Sequence, residues 1–183
     1  MPDSKYKVLL YSDGSHQAFS AAVYTATLLK NMSNMHLTIV HVHDRDQASV
    51  AKEYNWVDIW PVSPTSEWMK HALNQSDAKA QKQYQEILTT TNNIFYKSGY
   101  DVNHKELFSN TRLSETSDTA NVIIDYAIQN SFELIIMGTR GLSDLNGLIF
   151  GSLAHTVLNR SVIPVLLIKK LRQESIDRYL KSV

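Results

Sequence analysis

The residues with the clearest chemical potential lie in the second half of the chain: Gly138 and Gly141, separated by two residues, then nine residues, then Gly151 followed directly by Ser152. Glycines at the exit of a strand let backbone approach a ligand with no Cβ in the way. A helix beginning near Ser152 would present amide donors and a positive dipole end to an anion, and phosphate is the natural guest. Ser152 adds a hydroxyl, and Arg140, if it points inward, adds a planar fork matched to phosphate oxygens. Glycine spacing alone is weak evidence, because glycines also end strands and cap helices, so the surrounding elements decide.

Those elements alternate. Val8-Leu9-Leu10-Tyr11 is a continuous apolar run that stops at Ser12-Asp13-Gly14-Ser15, and Phe19, Ala22, Ala26 and Leu29 then recur at helical spacing. Leu37 to Val42 supplies a second, β-branched strand, which completes a βαβ unit. Val102 to Phe108 is a weakly patterned third strand. Ser117-Asp118 offers an N-cap to a helix with Val122, Ile123, Tyr126 and Ala127 on its apolar side. Leu134 to Met137 is a buried strand, 138–151 a loop, Ser152 to Asn159 a helix, and Val165 to Ile168 a last strand entered through Pro164. Between Asp44 and Glu67 the pattern dissolves around Pro61, Pro64, Trp56 and Trp60, which reads as a functional or interface loop. A long polar helix from about Glu67 to Lys97 follows, ended by Gly99.

The expected fold is therefore α/β, a three-layer sandwich around a five-stranded parallel sheet with four helices. In such sheets a ligand sits beyond the carboxyl ends of the strands where strand order reverses. Ser12, Asp13 and Val42, which end two strands, are accordingly expected beside Met137. Asp13 has a second role open to it, as a cap for the first helix, and the two are compatible.

With 183 residues and 43% hydrophobic content the chain is sized for one domain, here 1–170 with an insert at about 44–66 and a helical tail over 171–183. Lysine plus arginine and aspartate plus glutamate both number 18, so no basic excess draws nucleic acid or anionic lipid over distance. No cysteine is present, which excludes a disulfide framework, a thiolate zinc site and a cysteine nucleophile. No apolar run approaches a membrane-spanning length, and the expected location is the cytoplasm. His41 and His43 share a strand face as a metal pair would, yet no further ligands converge on them in the sequence.

The spacing G-x2-G-x9-G-[S/T], together with VLLYSDGS at Val8–Ser15, LTIVHV at Leu37–Val42, NVIIDYA at Asn121–Ala127 and ELIIMGTRG at Glu133–Gly141, resembles the universal stress protein family and its ATP-binding subgroup. The departures are the aromatic insert, Glu133 where aspartate is commoner, Tyr11-Ser12 before Asp13, and the C-terminal extension. The resemblance implies ATP, carrying a divalent cation, Mg or Mn, on its phosphates. It implies that Asp13 and the backbone around Val42 meet adenine and ribose, while Gly138, Gly141, Gly151, Ser152 and the amide of Leu153 hold the phosphates. It also implies a homodimer through Pro164 to Ile168 and a nucleotide-responsive regulatory role in stress response.

Two other functions compete. A weak ATP hydrolase or adenylyl-transfer enzyme is disfavoured because a Walker lysine loop, a Rossmann G-x-G-x-x-G and a nucleophile elbow are all missing and no general base stands beside the loop, which leaves at most slow hydrolysis. A nucleotide-free dimeric scaffold is disfavoured by the intact glycine loop. Valine at position 138 or 151 is expected to abolish binding and leave the fold intact, by filling the phosphate path.

Overall fold

Val8, Leu9 and Leu10 are consecutive, so their side chains alternate between the two faces of a strand, and all three are fully buried. That is satisfied only if both faces of the strand are covered. The structure, a computed structural model, describes residues 5–13, 16–43, 95, 102–109, 116–139, 150–172, 174–175 and 178. These form β1 (Tyr6–Tyr11), α1 (His16–Asn31), β2 (Met35–His43), β3 (Val102–Phe108), α2 (Thr116–Gln129), β4 (Leu134–Gly138), α3 (Ser152–Arg160) and β5 (Val165–Ile168). The five strands make one sheet in the order β3-β2-β1-β4-β5, every pair parallel. The insert and nearly all of the expected helix over 67–97 lie outside the described residues, apart from Phe95.

Residue parity divides the core in two. Val8, Leu10, Leu37, Ile39, Ile136 and Ile168 face α1, where Ala21, Ala22, Val23, Ala26 and Leu29 meet them together with the buried Phe95. Leu9, Tyr11, Val40, Leu107, Ile135 and Met137 face α2 and α3, which bring Ala120, Ile123, Ile124, Ala127, Ala154 and Val157. The buried alanines of α1 keep that helix close to β1 and β4. The helix expected to be capped at Ser117-Asp118 instead opens at Thr116, so both residues fall in its first turn, where the Asp118 carboxylate suits the positive end of the dipole.

At the amino ends of β1 and β4, Lys7 and Glu133 are joined twice, once backbone to backbone and once through the Glu133 carboxylate. Glu133 N–H donates to the Lys7 carbonyl at 2.9 Å, and Lys7 N–H donates to Glu133 Oε2 at 3.0 Å. Glu133 thus bridges the two strands at the sheet edge opposite the glycine loop. At the other edge of the molecule Leu171 packs against the α1-side core, and its N–H donates to Ser20 Oγ at 3.1 Å, which docks the start of the C-terminal extension on its own domain.

On the α1 side of β3, burial lowers the pKa of His104 to about 4, while burial raises that of the Glu106 carboxyl. The unfolded chain takes up a proton on His104 below about pH 6.5 and the folded chain holds out to about 4, so stability is fully present above that window and falls as pH drops through it. Glu106 acts with the opposite sign, binding its proton more readily when folded. His104→Gln is expected to flatten the loss of urea midpoint between pH 7 and pH 5, a loss of at most about 1.4 kcal/mol per pH unit, reduced by partial exposure. An unchanged slope in the variant would show that His104 does not carry the acid sensitivity.

Candidate functional site

Strand order reverses between β1 and β4: the chain goes from β1 to β2 on one side and from β4 to β5 on the other. The carboxyl ends of this central pair open onto a small cleft lined by Tyr11, Asp13, Ala18, Met137, Gly138, Leu153 and Ala154. Four elements contribute walls: β1 with its exit residues, the first turn of α1, the end of β4 and the first turn of α3.

The buried peptide of Thr139 fixes this arrangement. Its N–H donates to the Ile168 carbonyl at 2.9 Å, and its carbonyl accepts from Gly151 N–H at 2.8 Å. The first bond ties the exit of β4 to the end of β5, and the second brings the start of α3 back over that exit, closing the loop at its base. Gly151 is the N-cap of α3, with extended backbone (φ −65°, ψ 157°) and no side-chain cap. Its carbonyl accepts the first helical bond from His155 N–H at 3.0 Å. The next amides, of Ser152, Leu153 and Ala154, belong to the turn whose N–H groups have no intrahelical acceptor. Leu153 and Ala154 line the cleft, so the positive end of α3 faces it.

The sequence-derived candidates separate accordingly. Asp13, Met137, Gly138 and Leu153 line the cleft together, and Gly151 and Ser152 form the turn that frames it. Gly151 N–H is already committed to Thr139, so this glycine contributes position and not a donor. Ser12 is buried at the end of β1, with its N–H bonded to the Val40 carbonyl at 3.0 Å, and Val42 packs on the α2-side core; neither lines the cleft. Arg140 and Gly141 lie outside the described residues. His155 is exposed beside Asn159, away from the cleft lining. His41 pairs in register with Glu106 on the α1 side, and among the described residues no group of three or more His, Cys, Asp or Glu is arranged to hold a metal.

Tyr11, Ala18 and Ala154 were missed. Tyr11 stands two residues before Asp13, and that spacing was the available signal, because side chains two apart on extended backbone share a face. The phenol is almost fully buried, and burial, with a smaller contribution from the Asp13 carboxylate, raises its pKa above the ordinary tyrosine value, so it remains a neutral hydroxyl.

Gly138 corrects one expectation. A Cβ built there would lie 2.6 Å from the backbone carbon of Gln17 and 2.7 Å from the amide nitrogen of Ala18. The missing side chain therefore makes room for α1, not for a phosphate, and valine at this position would force the helix off the sheet. Gly138→Ala is expected to destabilise the protein by about 2–3 kcal/mol, roughly 5–10 °C in Tm, since the clashing atoms are backbone and cannot rotate away. A melting curve identical to the parent would show that the helix accommodates a methyl group.

Comparison with known proteins gives the same assignment for most of the chain. The family model described as Universal stress protein family matches residues 6–169. The chain is 24% identical over 163 residues to Universal stress protein YxiE of Bacillus subtilis (strain 168), covering 89% of this chain and 98% of that one. A 55-residue stretch, 30% of this chain and 32% of the relative, is 38% identical to Universal stress protein MJ0531 of Methanocaldococcus jannaschii. In fold it is similar to a universal stress protein solved in complex with cAMP, with a TM-score of 0.51, 18% identity, and coverage of 92% of this chain and 99% of that one. The chain belongs to the universal stress protein family.

Proposed function

We propose that the protein binds ATP in the cleft between β1, β4 and α3 and acts as a nucleotide-responsive regulatory module in stress response, in the cytoplasm. The observation that carries this reading is the first turn of α3, held by the Gly151–Thr139 hydrogen bond with its amide end towards the cleft at the point of strand reversal. Ser152 and the amides of Leu153 and Ala154 take the phosphates, a role the family resemblance extends to Gly141 and Arg140, and Asp13 meets the sugar side, with Ser12 and Val42 holding the strand ends that flank it. The related universal stress protein solved with cAMP supports an adenine nucleotide as the ligand class.

Asp13 is the one carboxylate in the lining of the described cleft. A divalent cation would accordingly be carried by the phosphate oxygens, with the protein binding the complex as a unit. None of the described lining residues at the α3 end is a general base, which favours binding over turnover. Among the described residues no helix is long and apolar enough to cross a membrane. We further propose that a second copy pairs with β5. That strand is an edge of the sheet, and Leu158 and the 82%-exposed Val162 lie beside it as uncovered apolar surface.

Ser152→Ala removes a hydroxyl from the phosphate end. It is expected to weaken ATP about ten- to a hundredfold by titration calorimetry, through loss of a hydrogen bond to a charged oxygen. Wild-type protein, denatured and removed, is expected to release adenine nucleotide into the supernatant or to bind added ATP. An unaltered affinity in the variant would remove Ser152 from the site, and a wild type that neither releases nor binds ATP would refute the reading itself.

A further inference from the structure

Along one face of β1 the side chains run from core to cleft: Leu9 is fully buried, Tyr11 is nearly so, and Asp13 is partly exposed at the opening. Of the residues lining the described cleft, Ala18, Met137, Gly138, Leu153 and Ala154 offer apolar side chains or none at all. Hydrogen bonding from side chains is therefore concentrated in Tyr11 and Asp13, both on the β1 wall. The first turn of α3 contributes Leu153 and Ala154 to the same lining. A ligand whose phosphates rest on α3 presents to β1 the group that follows its phosphates, which in a nucleotide is a sugar carrying hydroxyls.

We propose that Tyr11 is a specificity-determining residue of this cleft, its phenol forming with the Asp13 carboxylate a donor-acceptor pair that reads a sugar hydroxyl of the bound nucleotide. This rests on the nucleotide reading above and adds to it a residue and a selectivity. The pairing is chemically complementary. A carboxylate only accepts, so the sugar hydroxyl donates to Asp13, while a phenol both donates and accepts and bonds the remaining lone pair of the same oxygen or its vicinal neighbour. Burial, and to a smaller extent the Asp13 charge, raise the pKa of the phenol, so at neutral pH it is a protonated donor. The ring also bears on the fit, since it belongs to the α2-side core and cannot swing out without opening a void there.

The test compares wild type with Tyr11→Phe, which keeps the ring and removes only the oxygen, using ATP, 2′-deoxy-ATP, 3′-deoxy-ATP and inorganic tripolyphosphate as ligands in titration calorimetry. Wild type is expected to bind ATP more tightly than at least one deoxy analogue, and Tyr11→Phe to lose about two- to tenfold of that preference while its affinity for tripolyphosphate is unchanged. Circular dichroism melting checks that the variant is folded. The titrations are run below the melting transition of the variant, and tripolyphosphate binding like that of wild type is the second check that the cleft is intact. A preference for ATP over either deoxy analogue that is equal in wild type and variant, or a wild type that binds ATP and both deoxy analogues equally, overturns the assignment of Tyr11 and leaves the nucleotide site standing. A wild type that binds neither ATP nor tripolyphosphate overturns both.

Discussion

The peptide at Thr139 is buried where β4 ends, so neither its N–H nor its carbonyl has water to turn to, and each must find a partner within the protein. One partner is the last residue of β5 and the other is the residue that caps α3. A single requirement for hydrogen-bond satisfaction thus aligns the edge of the sheet and positions a helix amino terminus over the centre of it. Gly138, one residue earlier, supplies the steric counterpart: with no Cβ it lets the first turn of α1 approach to within contact of the β4 backbone. Two adjacent residues consequently place both helices that wall the cleft, and the chemistry of the cleft follows from what their first turns expose.

Those walls differ in character. The α3 side offers backbone donors and a dipole, which attract negative charge without regard to its shape. The β1 side offers two oxygen-bearing side chains set in apolar surroundings, where unmet hydrogen bonds are costly. On the proposed reading, anion capture and recognition of the group attached to the anion fall to different elements, and each answers to a different substitution.

Much of the architecture was legible because the strands are buried on both faces. Runs such as Leu134 to Met137 and Val165 to Ile168 have little alternative but a covered parallel sheet, and both formed as read. Val102 to Phe108 formed at the expected bounds despite weak patterning. As an edge strand it buries mainly Leu107, and that one-sided demand is why its signal was faint. Helix starts were less legible. Ser117-Asp118 resembled a cap, but Thr116 begins α2, and a first turn tolerates the same residue types. The glycine spacing pointed to the end of β4, where the cleft opens, whereas the reason for Gly138 lies in tertiary contact with α1, which local sequence does not encode. Tyr11 passed as a core residue because it is one, and its place in the cleft lining depends on the distant strand and helix that meet it.

The central claim is that the amino end of α3, with the exit of β4, receives the phosphates of ATP. The most direct measurement is a titration of isotopically labelled protein with ATP and Mg, followed through backbone amide resonances. The account predicts that the largest shifts fall on Gly138, Thr139 and Ser152 to Ala154, with Asp13 next. Saturable binding that leaves those amides unmoved and shifts others would contradict it.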